Sequence, residues 1–187
     1  MSNISTHVLL VRHGQTALNA EGRLRGLADP ELNADGIEQA RATAHSLRSR
    51  GIERVISSPL SRAVATGEII AKVNSVNHTI DPAFTDRDYA SWTGHIKTDV
   101  IKQWGRVDNA PGVEAQDRVL DRACGGLNML AQGHGLAVIA VVTHDAVIRP
   151  ILTRIDTGVE LRADTGSWAE IAYSGDGWAI VSVDNTP

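Results

Sequence analysis

A chain of 187 residues is long enough for one domain that buries roughly 70% of the surface its unfolded form exposes. Its composition, 42% hydrophobic and 21% charged, is ordinary for a soluble protein, and no apolar run approaches the ~18 residues of a membrane span, which excludes a membrane partner from expectation. The net charge of -4 and the lack of any basic block argue against a nucleic-acid partner, because nothing is present to track a phosphate backbone.

Residues 1–6 lack the basic and then apolar regions of a signal peptide, and Cys124 is the single cysteine, so the expected setting is cytoplasmic. Val8 to Val11 are four consecutive apolar residues that suit a strand buried on both faces, and the run ends in Arg12, His13 and Gly14. Residues 14–32 are rich in Gly, Asn, Asp and Pro and read as a long functional loop. Asn33 is placed to cap a helix from Ala34 to Arg50, with Ile37, Ala40, Ala44 and Leu47 as its apolar stripe and Gly51 as its stop.

Arg54 to Ser57 form a second short strand, followed by Ser58 as N-cap and Pro59 as first helical residue of a helix to Val73. Thr79-Ile80-Asp81 is a weak third strand, 82–94 a second loop, and a short helix is expected between His95 and Trp104. A longer helix follows from Val113 to Gln132, weakened by Gly125-Gly126. Leu136 to Val142 is the strongest buried-strand signal and ends in Thr143-His144-Asp145. The helix after it contains Pro150, which predicts a kink or a late start. Trp168 to Tyr173 and Trp178 to Val183 read as a closing hairpin.

Alternating strands and helices predict a three-layer α/β/α fold with a mostly parallel central sheet, as one domain over residues 1–187. Ligands of such sheets bind outside the carboxyl ends of the strands. There the predicted topology brings together Arg12, His13, Arg62 and His144, with Asp86 arriving on a loop. Two arginines and two histidines suit a phosphate: guanidinium forks match its oxygens, and a neutral imidazole attacks phosphorus when its other nitrogen is held as N–H. A nearby carboxylic acid serves to protonate the leaving oxygen.

Leu10-Val11-Arg12-His13-Gly14-Gln15-Thr16 resembles the signature of the histidine phosphatase superfamily, also called the phosphoglycerate mutase-like family. Ser57 to Ala63 is similar to its second motif, Trp92-Thr93-Gly94 to the end of its acid loop, Pro111 to Glu114 to the start of a later helix, and Val142 to Asp145 to its second-histidine motif. The resemblance implies that His13 is the nucleophile of a metal-independent reaction without a cofactor. It implies that Arg12, Arg62, His144 and Asn19 bind the phosphoryl group of a small phosphorylated substrate. The family's proton donor is usually a glutamate, whereas Phe84-Thr85-Asp86 places aspartate there; Asp145 is the alternative donor, and also a plausible helix N-cap.

Phosphomonoester hydrolysis is the preferred reading, since only residues 95–110 occupy the gap where mutases of the family carry a longer insertion. Phosphoglycerate mutase is the alternative, and a non-catalytic phosphate-binding module the third. Specificity is expected in the 14–32 and 82–110 loops, where Arg23, Arg25, Lys97, Lys102 and Arg106 suit a second anionic group, though long cations also decorate ordinary surfaces. Glu114 is expected to favour a helix N-terminus and Trp92 to pack the acid loop. Oligomeric state is not legible.

Overall fold

The continuous apolar runs form the middle of the sheet, as residues buried on both faces require. The computed structural model describes residues 6–133 and 138–187. Its elements in chain order are β1 (Thr6–Arg12), α1 (Ala17–Ala20), α2 (Ala34–Ser46), β2 (Arg54–Ser57), α3 (Ser61–Asn74), β3 (Asn77–Ile80), α4 (Lys97–Trp104), α5 (Gln116–Gln132), β4 (Val138–Thr143), α6 (Asp145–Ile155), β5 (Trp168–Ser174) and β6 (Gly177–Asn185). The sheet order is β3-β2-β4-β1-β5-β6. The first four strands in that order are mutually parallel, and the hairpin β5-β6 adds two antiparallel pairings at the β1 edge. This is the predicted architecture.

Alternation along the strands divides the core in two. Val8 and Leu10 of β1, with Ile139 and Val141 of β4, pack under α5 and α6 against Val119, Leu127 and Ile151. Leu9, Val11, Ala140 and Val142 face the other way, toward Ala44, Leu47, Ala63 and Ile70 around α2 and α3. Helices on both faces make the three layers. Among the described residues no helix is long and apolar enough to cross a membrane.

Several local expectations are corrected. The 14–32 loop contains a helical turn, α1, because Thr16 and Asn19 form a capping box around it. Helix α3 starts at Ser61 rather than Pro59, and Ser58 is not its cap; the Asp29 carboxylate accepts from Ser61 N–H at 2.6 Å and from its hydroxyl at 2.7 Å, so the cap comes from a distant loop. Helix α5 starts at Gln116 rather than Val113, since Glu114 exchanges hydrogen bonds with the backbone of Asp88 instead. Helix α6 begins at Asp145 and continues through Pro150, so the expected late start does not occur, and its N-cap is His144 rather than Asp145. Leu136 and Ala137 of the predicted strand, and His134, lie outside the described residues.

The two adjacent glycines of α5 differ. A Cβ on Gly126 would sit 2.9 Å from Cζ of Phe84 and 3.0 Å from Cβ of Ala83, whereas nothing lies within 4 Å of one on Gly125. Gly126 lets the Phe84 ring seat in the core. Gly125→Ala is therefore expected to stabilise by up to about 1 kcal/mol through helix propensity. Gly126→Ala is expected to destabilise by about 1–3 kcal/mol through overpacking, as read by urea denaturation of the two variants.

Candidate active site

The parallel register of β1, β4 and β2 sets the backbone of the site. Arg12 lies opposite Thr143 and Ser57 opposite Val142. The ladder continues one residue beyond: His13 N–H donates to the Thr143 carbonyl at 3.1 Å, and Ser58 N–H to the Val142 carbonyl at 3.0 Å. His13, Ser58 and His144 therefore leave three adjacent strands side by side, and the rings of His13 and His144 lie 5.0 Å apart.

His13 Nδ1 lies 2.7 Å from the Gly14 carbonyl. A carbonyl only accepts, so Nδ1 carries the hydrogen and Nε2 keeps its lone pair. Nε2 is buried with no hydrogen-bond partner among the described residues. Burial, reinforced by the charges of Arg62 and Arg12, holds the His13 imidazole well below its ordinary range, so it is neutral. The turn is braced from below. Gly14 N–H donates to Thr66 Oγ1 at 3.1 Å, and a Cβ on Gly14 would stand 2.2 Å from the Gly36 carbonyl oxygen, so α2 packs directly on this loop.

Arg62, in the first turn of α3, is fully buried. It donates to the carbonyls of Gly26 and Ala28 at 2.9 and 2.8 Å and to Asp86 Oδ2 at 2.9 Å, leaving Nε unpartnered. Asp86 Oδ2 is also 3.6 Å from His144 Nδ1. His144 Nε2 lies 2.8 Å from Ser58 Oγ, and its Nδ1 has no hydrogen bond among the described residues. Burial, then the proximity of His13 and the arginines, keeps His144 well below the usual imidazole range, so this too is a neutral ring. Burial raises the Asp86 carboxyl above its ordinary range although Arg62 and Arg25 oppose it.

Arg12 Nη1 donates to the Ala163 carbonyl at 2.5 Å, and its Nε is buried without a partner. Its charge is felt by His13 and by Asp145. Asp145 differs from Asp86. Burial works to raise its carboxyl, but Arg12, Arg25, Lys97 and Arg149 overcome that and hold it below the carboxylate range. It pairs with Arg25 Nη2 at 3.0 Å. A carboxyl held ionised by four cations is a poor proton donor and a good anchor for arginines.

The acid loop is held by partners that sequence reading missed. Arg122 of α5 donates to the carbonyls of Ala83, Thr85 and Asp86 at 3.0, 2.5 and 3.0 Å, and Thr143 Oγ1 donates to that of Phe84 at 2.7 Å. From the loop held in this way, Asp86 Oδ2 reaches Arg62 at 2.9 Å and lies 3.6 Å from His144 Nδ1, although aspartate is one methylene shorter than glutamate. Glu114 joins this scaffold rather than a helix terminus, accepting from Asp88 N–H at 3.0 Å and lying 3.6 Å from Arg122. Trp92 packs edge-on against Trp104 and donates to the Pro111 carbonyl. Asn19 Oδ1 accepts from the Thr16 N–H and hydroxyl as the third-position partner of the capping box, which fixes its side chain in the loop after His13.

A family model of the histidine phosphatase superfamily (branch 1) matches residues 8–186. The chain belongs to this superfamily. It is 34% identical over 154 residues to the uncharacterized phosphatase PhoE of Bacillus subtilis (strain 168), covering 82% of this chain and 79% of that one. It is 33% identical over 163 residues to a metal-independent phosphoserine phosphatase of Arabidopsis thaliana, covering 80% and 68%. Bifunctional protein Rv2228c of Mycobacterium tuberculosis, 31% identical, is longer, and this chain spans 54% of it. In fold it superposes on a phosphoglycerate mutase from Bacillus anthracis with a TM-score of 0.87 at 19% identity, over 97% of this chain and 93% of the other.

For this histidine phosphatase, the structure adds Ser58 beside His144, Arg25 on Asp145 and Arg122 under the acid loop to the candidate site. Ser58 lies within the second motif but has the sequence context of a helix cap, and Arg25 is one of five loop cations that the sequence does not distinguish. Tyr89 is buried, and burial raises its hydroxyl above the ordinary range.

Both site imidazoles are neutral in the folded chain, whereas in the unfolded chain each takes a proton as pH falls through about 6.5. The unfolded state then binds more protons than the folded one. Stability is therefore lost on acidification below pH ~6.5, by up to ~1.4 kcal/mol per pH unit for each histidine. Urea midpoints are expected to fall between pH 7 and pH 5.5, and His144→Gln is expected to show a shallower slope across that window.

Proposed function

We propose that this histidine phosphatase is a metal-independent phosphomonoester hydrolase that acts on a small phosphorylated metabolite through a phosphohistidine at His13. The observation that carries this reading is the unpartnered, unprotonated Nε2 of His13, buried beside His144 and under the charges of Arg12 and Arg62. An imidazole held as Nδ1–H by a carbonyl is a ready nucleophile at neutral pH. The names of relatives lend support: two of those at 33–34% identity are phosphatases, one of them metal-independent.

The Nε2 lone pair attacks phosphorus, the N–P bond forms and the bond from phosphorus to the ester oxygen breaks. Arg12 and Arg62 offset the charge on the equatorial oxygens, which is most of what phosphoryl transfer asks of a protein. His144 contributes a neutral N–H from Nδ1 when the Ser58 hydroxyl donates to its Nε2, so Ser58 selects the tautomer. Asp86, raised by burial, gives its proton to the leaving oxygen. As a carboxylate it then takes a proton from the water that attacks the phosphohistidine, and the N–P bond breaks to release phosphate. Asp145, held ionised, anchors Arg25 and faces Arg12.

Wild type is expected to release phosphate from members of a phosphomonoester panel, and His13→Ala to lose that activity. Isomerisation of 3-phosphoglycerate without release would make the enzyme a mutase. Phosphate binding without turnover of any ester would make it a binding module. The donor is identified by leaving-group dependence. Asp86→Asn is expected to slow turnover of alkyl phosphates by about 100-fold or more while sparing p-nitrophenyl phosphate, whose leaving group needs no proton. The same selective loss in Asp145→Asn, with none in Asp86→Asn, would transfer the role to Asp145.

A further inference from the structure

We propose that Arg122, assisted by Thr143, is a positioning residue for proton transfer: it holds the loop of residues 83–88 where the Asp86 carboxyl meets the phosphoryl site. This rests on the reading of Asp86 as the proton donor. Residues 85–89 lie in no helix or strand, so no ladder fixes the carboxyl they carry. Side chains fix it instead. Four consecutive carbonyls, of Ala83, Phe84, Thr85 and Asp86, accept from side-chain donors, and Arg122 serves three of them. Its Nη1 donates to Ala83 at 3.0 Å and to Thr85 at 2.5 Å, and its Nη2 to Asp86 at 3.0 Å. Thr143 Oγ1, on the residue before His144, donates to Phe84 at 2.7 Å.

Arg122 is itself oriented. Glu114 Oε2 lies 3.6 Å from its Nη2 and accepts from Asp88 N–H at 3.0 Å, while Glu114 N–H donates to the Asp88 carbonyl at 2.8 Å. One turn further along α5, Gly126 leaves the space that the Phe84 ring fills. The start of α5 and the residues before it therefore grip the loop along its length. A planar guanidinium presents its donors in a fixed fork, which suits several carbonyls at once, whereas an ammonium is a point.

Arg122 bonds the backbone of Asp86 rather than its carboxylate, so its influence on the chemistry runs through where Oδ2 comes to rest. That place is 2.9 Å from Arg62 Nη2 and 3.6 Å from His144 Nδ1, fully buried, and burial raises the carboxyl above its ordinary range. Removing the guanidinium leaves three carbonyls without their donor, and the loop gains by moving toward water to satisfy them. A displacement of ~1 Å at a reacting centre costs on the order of 100-fold in rate. The short aspartate side chain has little reach with which to recover it.

The test compares Arg122→Met and Arg122→Lys with wild type on an alkyl phosphate that wild type hydrolyses and on p-nitrophenyl phosphate. In Arg122→Met, kcat for the alkyl ester is expected to fall roughly 10- to 100-fold with little change in KM, while p-nitrophenyl phosphate is spared. Arg122→Lys is expected to fall between. Thr143→Val, which deletes the fourth donor, is expected to show the same selectivity more weakly and keeps the proposal testable if the Arg122 variants do not fold. Carbon-13 NMR of the Asp86 carboxyl, identified by its loss in Asp86→Asn, reads the placement without turnover: in Arg122→Met its titration is expected to drop toward ~3.9, the ordinary aspartate value. Equal loss on both esters, no loss, or an unmoved Asp86 titration would overturn the assignment. Selective loss in Asp86→Asn but not in Arg122→Met removes only the role of Arg122, whereas selective loss in Asp145→Asn alone removes the donor reading and this inference with it. If wild type hydrolyses no ester, the phosphatase reading falls and the Asp86 titration alone decides whether Arg122 holds the carboxyl in place.

Discussion

A single hydrogen bond, from His13 Nδ1–H to the carbonyl of the next residue, governs the chemistry of this site. It assigns the tautomer, and with it the lone pair on Nε2, without any second side chain. A carbonyl is an acceptor at every pH, so the assignment does not depend on a neighbour's protonation. Its geometry depends on the turn at Gly14, where the close approach of Gly36 at the start of α2 admits no side chain on either residue. The His13 ring is thus oriented by backbone and packing, which makes the first turn of α2 a support of the candidate site.

Around that ring the protein concentrates positive charge in a buried place and limits the cost by giving each arginine anchors. Arg62 is anchored by two loop carbonyls and Asp86, Arg12 by Ala163, and Arg25 by Asp145, while the Nε of each has no partner among the described residues. The two aspartates are driven apart by their surroundings. Asp86 meets more burial than counter-charge and is raised, while Asp145 meets four cations and is lowered. Two carboxyl groups in one site are thereby shifted in opposite directions by their surroundings, which is what the proposed division between a proton donor and an anchor of guanidinium groups needs.

Much of the fold was legible because its central strands, β1 and β4, are buried on both faces and therefore read as apolar runs ended by polar residues at the site. The hairpin, whose β6 is only part-buried, is marked instead by its Gly-Asp-Gly turn. His13, Arg12, Arg62 and His144 were recognisable from the ends of those runs, and Asp86 from its loop. Helix starts were less legible where the cap is not local. Ser58-Pro59 has the composition of a helix opening, yet Asp29 caps α3 from another loop and Ser58 turns to His144. Asn19 shows the converse, a local cap hidden inside a sequence motif.

By itself, then, the sequence determined which residues stand at the carboxyl ends of the strands and that they suit a phosphoryl group, because hydrophobic period and residue chemistry are local properties. The tertiary structure decided the rest. Long-range partners set which carboxyl is raised and which is lowered, and they place Ser58 against His144. Those outcomes depend on burial and on distances between residues far apart in the chain, such as Arg25 and Asp145, which are 120 positions apart, and no local pattern encodes them.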